Sequence, residues 1–181
     1  SGHLIDNAPT LLPRPDSEVL VDLALRESPR KAQWRILDLG TGSGAIASAL
    51  ASERKLCQIT ATDISAAALA LAQENARHLC LGNVDFAHGS WTEPVREQRF
   101  NVIVSNPPYD RADDTALRKL SHEPVSALVA GADGLDAIRT LAEDCGEILQ
   151  ENGVLLVEHG AEQEADVKVI FQASGWCEIV G

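Results

Sequence analysis

The chain has 181 residues, 45% of them hydrophobic, and a formal net charge of −12. One compact domain is the natural expectation, and the charge argues against a broad nucleic-acid-binding face, where Lys and Arg would have to meet phosphates. No apolar run approaches the ~20 residues of a membrane span, and the opening residues lack the pattern of a secretory signal. Cys57, Cys80, Cys145 and Cys177 are scattered without a C-x-x-C pair, as are the five histidines, so no metal site is expected. Each cysteine reads as a small buried or half-buried hydrophobe in a reducing cytoplasm.

In chain order, residues 17–26 place Val19, Leu20, Leu23 and Ala24 at helical spacing, with Asp16 or Ser17 as cap. A strand at 35–39 is followed by a helix over 44–53. A second strand, 58–62, leads through Asp63 and the N-cap candidate Ser65 into an alanine-rich helix, 66–78, whose apolar face is Leu69, Ala72 and Ala76. Short strands at 84–87 and 101–105 flank Gly89-Ser90-Trp91. A helix from 134 to 149, ending near Asn152-Gly153, precedes a strand at 154–158, a helix at 161–174 and a last strand at 177–180. Strands alternating with helices predict an α/β fold, a mainly parallel sheet covered on both faces. The segment 110–130 reads either as a lid beyond the fourth strand or as an ordinary solvated connection.

Three motifs carry chemistry. Asp38-Leu39-Gly40-Thr41-Gly42-Ser43-Gly44 joins a strand to a helix; glycines let a ligand approach the backbone, and the helix start offers unpaired N–H groups. Gly40, Gly42 and Ala45 also satisfy the loose dinucleotide fingerprint. Asp38 disfavours that reading, because its carboxylate would repel a pyrophosphate and attract a cationic amino-acid ligand instead. Asp63 ends the second strand, placed to accept two ribose hydroxyls, although a helix-capping role is open to it. Last, Asn106-Pro107-Pro108-Tyr109 closes the fourth strand. Neither proline donates a hydrogen bond, so the Asn106 oxygen and the Pro107 carbonyl are left to accept from a planar NH2 group beside the Tyr109 ring. Gly40, Asp63, Ser90-Trp91 and Asn106 all fall at strand ends, the edge where such sheets bind ligands.

Together these motifs resemble the class I S-adenosylmethionine-dependent methyltransferases and, within them, the glutamine N5-methyltransferases of peptide chain release factors. Leu12-Pro13-Arg14-Pro15-Asp16-Ser17-Glu18 is similar to that family's arginine–proline signature. His122-Glu123-Pro124, Gly131-Ala132-Asp133-Gly134 and Gly153–Gly160 with Gln163 extend the resemblance over nearly the whole chain. It implies a three-layer Rossmann-like fold and S-adenosylmethionine as cofactor, with Gly40, Thr41, Gly42, Ser43, Gly44, Asp63, Trp91 and Asn106 binding it. It implies Asn106, Pro107 and Tyr109 as catalytic residues, with Pro108 joining them around the substrate amide. Where relatives carry an acid before the aromatic position, this chain has Ser90; Trp91 reads equally as a core residue. Pro13-Arg14-Pro15 reads either as a bare linker or as a segment that Arg14 anchors over the cofactor, in neither case as a catalytic group.

The same resemblance divides the chain into a leading segment and first helix, residues 1–30, at a junction to an amino-terminal helical domain, and a catalytic domain, 31–181, expected to lack its final strand. Release factors are the implied partners, in the cytoplasm, with neither membrane nor nucleic acid involved. Adenine N6-methylation of DNA or RNA presents the same planar NH2 to Asn106, but the acidic charge and the absence of a Lys/Arg-rich segment weigh against it. A dinucleotide-dependent oxidoreductase explains the glycine spacing alone. A non-catalytic cofactor-binding module is the remaining alternative.

Overall fold

A computed structural model describes residues 15–107 and 134–181. The elements in chain order are α1 (Pro15–Glu27), β1 (Arg35–Leu39), α2 (Ala45–Glu53), β2 (Gln58–Asp63), α3 (Ala66–His78), β3 (Val84–His88), a 3-10 turn at Glu93–Val95, β4 (Phe100–Ser105), α4 (Asp136–Ile148), β5 (Leu149–Val157) and α5 (Glu164–Ala173). The strands form one sheet in the order β3-β2-β1-β4-β5, every pairing parallel. This is the α/β architecture that the alternation of elements predicts.

Side-chain parity sorts the core into two layers. On β1, Ile36 faces one side with Ile59 and Ala61 of β2 and Val102 and Val104 of β4, against Leu20 and Ala24 of α1 and Ile46, Leu50 and Ala51 of α2. Leu37, Leu39 and Ile103 face the other side, against Leu141, Cys145 and Ile148 of α4 and Val167 and Phe171 of α5. With both faces covered, the central strands bury apolar residues such as Ile36-Leu37 and Val102–Val104 on both sides, with Asp38, Thr60 and Thr62 buried among them, and each fully buried Leu or Ile contributes about 1.5–3 kcal/mol. Helix α3 packs on β2, β3 and α2, with Ser65 as its cap, accepting from the Ala68 N–H at 3.2 Å.

Several boundaries depart from the sequence reading. Helix α1 begins at Pro15, whose fixed φ suits a first helical position, so Ser17 lies inside the first turn rather than capping it. The 134–149 helix ends at Ile148, and β5 begins at Leu149 because Leu149 pairs with Phe100. The ladder then slips so that Val102 pairs with Val154. The intervening residues bulge through Asn152 at φ 61°, with Gly153 folded so tightly that an added Cβ would lie 2.7 Å from Leu149 Cγ. Residues 177–180 form no strand. The Trp176 indole N–H donates to the Ala142 carbonyl of α4 at 2.8 Å, drawing the chain onto that helix, and Glu178 at φ 56° interrupts any extended run. Cys57 and Cys145 are buried as expected, whereas Cys80 and Cys177 are exposed. Cys80 sits just past the end of α3 at φ 54°.

Candidate active site

Strands β2 and β3 lie to one side of β1, and β4 and β5 to the other, so the topological switch point falls between β1 and β4. Ligands of open α/β sheets bind outside the carboxyl ends of the strands at such a point. Parity adds a second constraint. Counting by twos from the residues that face α1 and α2 (Ile36, Ala61, Val104), Asp38, Asp63 and Asn106 carry their side chains to that same face. Three polar residues from three strands therefore share one face and one edge with the start of α2.

The glycine loop is held by hydrogen bonds from several sides. The Gly40 and Thr41 N–H groups both donate to the Thr62 carbonyl, at 3.0 and 2.9 Å, and the Gly44 N–H donates to Thr41 O at 2.9 Å. Asn75 of α3, fully buried, donates from Nδ2 to the Ser43 carbonyl at 2.9 Å. Gly40, Gly42 and Gly44 take φ of 72°, 56° and 79°, a region that L side chains disfavour. Their surroundings differ. A Cβ on Gly40 or Gly42 would meet nothing within 4 Å, so open space adjoins the backbone there, whereas one on Gly44 would collide with Ala72.

Asp38 has a role that its position in the sequence did not suggest. It is 1% exposed. Its Oδ2 accepts from Thr41 Oγ1 at 2.6 Å and from the Ala47 N–H at 3.1 Å. Ala47 is the third residue of α2, the position that an N-cap side chain normally satisfies. The cap position is Gly44, which has no side chain to offer, and β1 supplies the missing oxygen through Asp38. The other oxygen, Oδ1, is buried without a hydrogen-bond partner among the described residues. Burial raises the Asp38 carboxyl to about 6, with Asp63 adding to the rise and the Thr41 and Ala47 hydrogen bonds opposing it.

Asp63 is half-buried and bridges two elements. Its Oδ2 accepts from the Gly42 N–H at 2.9 Å and its Oδ1 from the Ser65 N–H at 2.8 Å, while its main-chain oxygen accepts from the Gly89 N–H. Each carboxylate oxygen keeps a second lone pair for a ligand hydroxyl. Trp91 is half-buried at φ 45° and packs against the core on the α4 and α5 side; Ser90 accepts from the Glu93 N–H through its carbonyl.

Asn106 follows β4 directly and is half-buried, with Pro107 buried beside it. Ser105, fully buried, donates from Oγ to the Leu39 carbonyl at 3.0 Å, tying β4 to β1 at the switch point. The Asn106 Nδ2 donates to Ser17 Oγ of α1 at 3.4 Å. The arrangement thus brings Gly40–Gly44, Asp63 and Asn106–Pro107 to one edge. Pro108, Tyr109, the 110–130 segment, Arg14, the 122–124 motif and residues 131–133 lie outside the described residues. Ser17 and Asn75 escaped the sequence reading as site neighbours. Asn75 left a trace, as a polar residue three positions from Ala72 on an otherwise apolar stripe. Among the described residues no cluster of His, Cys, Asp and Glu could hold a metal ion, and no helix is long and apolar enough to cross a membrane.

Residues 16–134 match the family described as the Methyltransferase small domain. The chain is 44% identical over 169 residues to the release factor glutamine methyltransferase of Coxiella burnetii, covering 93% of this chain and 61% of that protein. It is 46% identical to the protein of that name from Yersinia pestis and 44% to that from Escherichia coli, each over 94% of this chain and 62% of the relative. The chain thus spans about three fifths of the length of these relatives. Among solved structures, a methyltransferase from Pyrococcus furiosus superposes with a TM-score of 0.70 at 21% identity, over 96% of this chain and 78% of the other. A precorrin-6y C5,15-methyltransferase from Geobacter metallireducens gives 0.65 at 12% identity, over 94% and 75%. At those identities the likeness speaks for the fold.

Proposed function

The chain belongs to the Methyltransferase small domain family, and from that premise we propose that it methylates the side-chain nitrogen, N5, of a protein glutamine, using S-adenosylmethionine. The substrate in this reading is the glutamine of the Gly-Gly-Gln loop of peptide chain release factors, modified in the cytoplasm. One observation carries it. The glycine loop, Asp63 and the Asn106–Pro107 pair share one edge and one face of the sheet, in a chain 44–46% identical to release factor glutamine methyltransferases.

The residues present fit the cofactor. Open space adjoins the backbone at Gly40 and Gly42, and the Asp63 carboxylate, already anchored to Gly42 and Ser65, retains lone pairs for the two hydroxyls of a ribose. S-adenosylmethionine supplies, when bound, a methyl group already activated by its sulfonium. The work left to the protein is to present a poor nucleophile, since an amide nitrogen delocalises its lone pair into the carbonyl. Asn106 Oδ1 and the Pro107 carbonyl each accept one N–H of the substrate amide, which fixes the direction of the nitrogen. Two acceptors also favour the positive charge that develops on that nitrogen during attack. The surplus proton passes to solvent, so the chain needs no dedicated base. Tyr109, outside the described residues, is in this reading the ring that would cover the planar amide and keep water away.

The test is transfer of labelled methyl from S-adenosylmethionine to a purified release factor by the full-length protein, located by mass spectrometry. Asn106→Ala is expected to lower kcat by about 100-fold or more while lowering S-adenosylhomocysteine affinity far less. Methylation of adenine in DNA or RNA, with none on the release factor, would replace the reading with the nucleic-acid alternative.

A further inference from the structure

We infer that Ser17 is a positioning residue for Asn106: it anchors the carboxamide plane so that Oδ1 faces the substrate amide. The inference rests on the reading of Asn106 as an acceptor for a planar NH2 group. A terminal carboxamide has two orientations related by a half-turn, and they present opposite hydrogen-bonding groups to a ligand. The torsion that interconverts them is broad. Asn106 accepts rather than donates only while its carboxamide plane is held with Oδ1 toward the ligand.

The fold puts Ser17 where it can do this. Asn106 continues the alternation of Val102 and Val104, which face α1 and α2, so its side chain leaves the strand end toward α1. On α1, Ser17 precedes Leu20 and Ala24 by three and seven residues, which places all three on one helical face. Leu20 and Ala24 are 4% and 0% exposed, so that face is docked on the sheet and Ser17 is a fixed point at its site end. The contact observed is Asn106 Nδ2 to Ser17 Oγ at 3.4 Å. A serine hydroxyl can pair with either end of a carboxamide; in the structure it takes Nδ2, and among the described residues Asn106 Oδ1 takes part in no hydrogen bond, which leaves that oxygen for the substrate. A contact this long lies near the outer limit of a hydrogen bond. Its removal should therefore leave stability almost unchanged and act on orientation.

The experiment compares Ser17→Thr with Ser17→Val in the full-length protein. The two replacements share shape and helix cost, and only threonine keeps the hydroxyl. With a release factor as substrate, Ser17→Val is expected to lower kcat by about 5-fold, with KM and S-adenosylhomocysteine affinity unchanged, and Ser17→Thr to keep wild-type kcat. A second readout needs no turnover. The Asn106 side-chain NH2 cross-peak in a nitrogen–proton correlation spectrum, identified by its loss in Asn106→Ala, should move in Ser17→Val and return in Ser17→Thr. An unmoved cross-peak, or equal kcat in the valine and threonine variants, overturns the inference. Absence of methyl transfer by the wild-type protein would overturn the proposed substrate instead, and the cross-peak would still decide the Ser17 contact.

Discussion

Gly44 and Ala72 meet so closely that a methyl group on Gly44 would lie 2.8 Å from the Ala72 methyl and 3.1 Å from its Cα. This contact fixes the distance between the start of α2 and the middle of α3, and it explains why the cap of α2 carries no side chain. Gly44→Ala adds an overlap to the backbone strain of φ 79°, and a loss of about 2–4 kcal/mol in unfolding free energy is expected. Gly40→Ala, with the same sign of φ but nothing within 4 Å, should lose only about 1–2 kcal/mol. Urea midpoints should therefore fall in the order wild type, Gly40→Ala, Gly44→Ala; a reversed order of the variants would deny the packing role of Gly44.

Asp38 should impose a pH dependence of unusual sign for a carboxylate. Its pKa is raised in the folded protein from 3.8 to about 6, so the folded state holds the proton more tightly than the unfolded chain. The stabilisation is fully present below about pH 4 and fades as pH rises through 6, with a total of at most about 3 kcal/mol. Asp38→Asn cannot ionise and loses this slope. The difference in unfolding free energy between wild type and variant, measured from pH 4 to pH 7, should shift toward the variant as pH rises. A difference that is flat with pH would rule out titration of Asp38 in this range.

Arg54 is 6% exposed, and every hydrogen bond described for it goes to carbonyl or hydroxyl oxygens. Its Nε donates to Ser28 O at 2.8 Å and Ser28 Oγ at 3.3 Å, its Nη2 to Leu25 O at 2.5 Å and its Nη1 to Glu53 O at 3.2 Å. The guanidinium thus fills the role of a cap for the carbonyl end of α1, where the helix dipole is negative. Arg54→Met is expected to lower stability by about 2–4 kcal/mol, and Arg54→Lys to recover only part of that, because an ammonium lacks the planar fork. Full recovery with lysine, read by thermal unfolding, would mean that charge alone matters.

The four cysteines should divide into two pairs toward a thiol reagent. Cys80 and Cys177 are exposed, and Cys57 and Cys145 are buried. Burial, with Asp144 adding to it, pushes the Cys145 thiol up to about 12, which suppresses the reactive thiolate. Native protein should release two equivalents of chromophore rapidly, and the unfolded chain four. Rapid reaction of three or four thiols in the native state would contradict the packing around Cys57, ahead of β2, or around Cys145 in α4.

Much of the fold is legible because its central strands are buried on both faces and carry short apolar runs, as at Ile36-Leu37 and Val102–Val104. Ser65 announces α3 because a serine cap is a local signal. The start of β5 is not local: Leu149 fits a continuing helix until its partner Phe100 is known. Residues 177–180 have the side chains of a strand, but a ladder needs a neighbour, and the Trp176 bond to Ala142 takes the chain elsewhere. In the candidate site, Asp63 and Asn106 stand out as polar residues ending apolar strands, and their common face follows from counting by twos. The pairing of Asn106 with Ser17, and of Ser43 with Asn75, depends on how α1 and α3 dock, which no single stretch of sequence encodes. Asp38 was visible, but its burial and its service to α2 follow only from the glycine at the cap.

The strand order also bears on how the chain assembles. Strand β1 finds β2 across a single helix, and β2 finds β3 across another, so half of the sheet closes through short loops. Its other neighbour, β4, is separated from it by two helices and two strands, a span that the Ser105–Leu39 bond closes over 66 residues. Loop closure is entropically cheaper and faster for the short spans. The β1–β3 half with α2 and α3 is therefore the natural nucleus, and β4 and β5 dock onto a preformed edge. In pulse-labelled refolding, the amides of Ile59 and Ala61 should become protected before those of Ile103 and Leu155. The edge that carries Asn106 is completed last, so the acceptor meets the glycine loop only as the sheet closes.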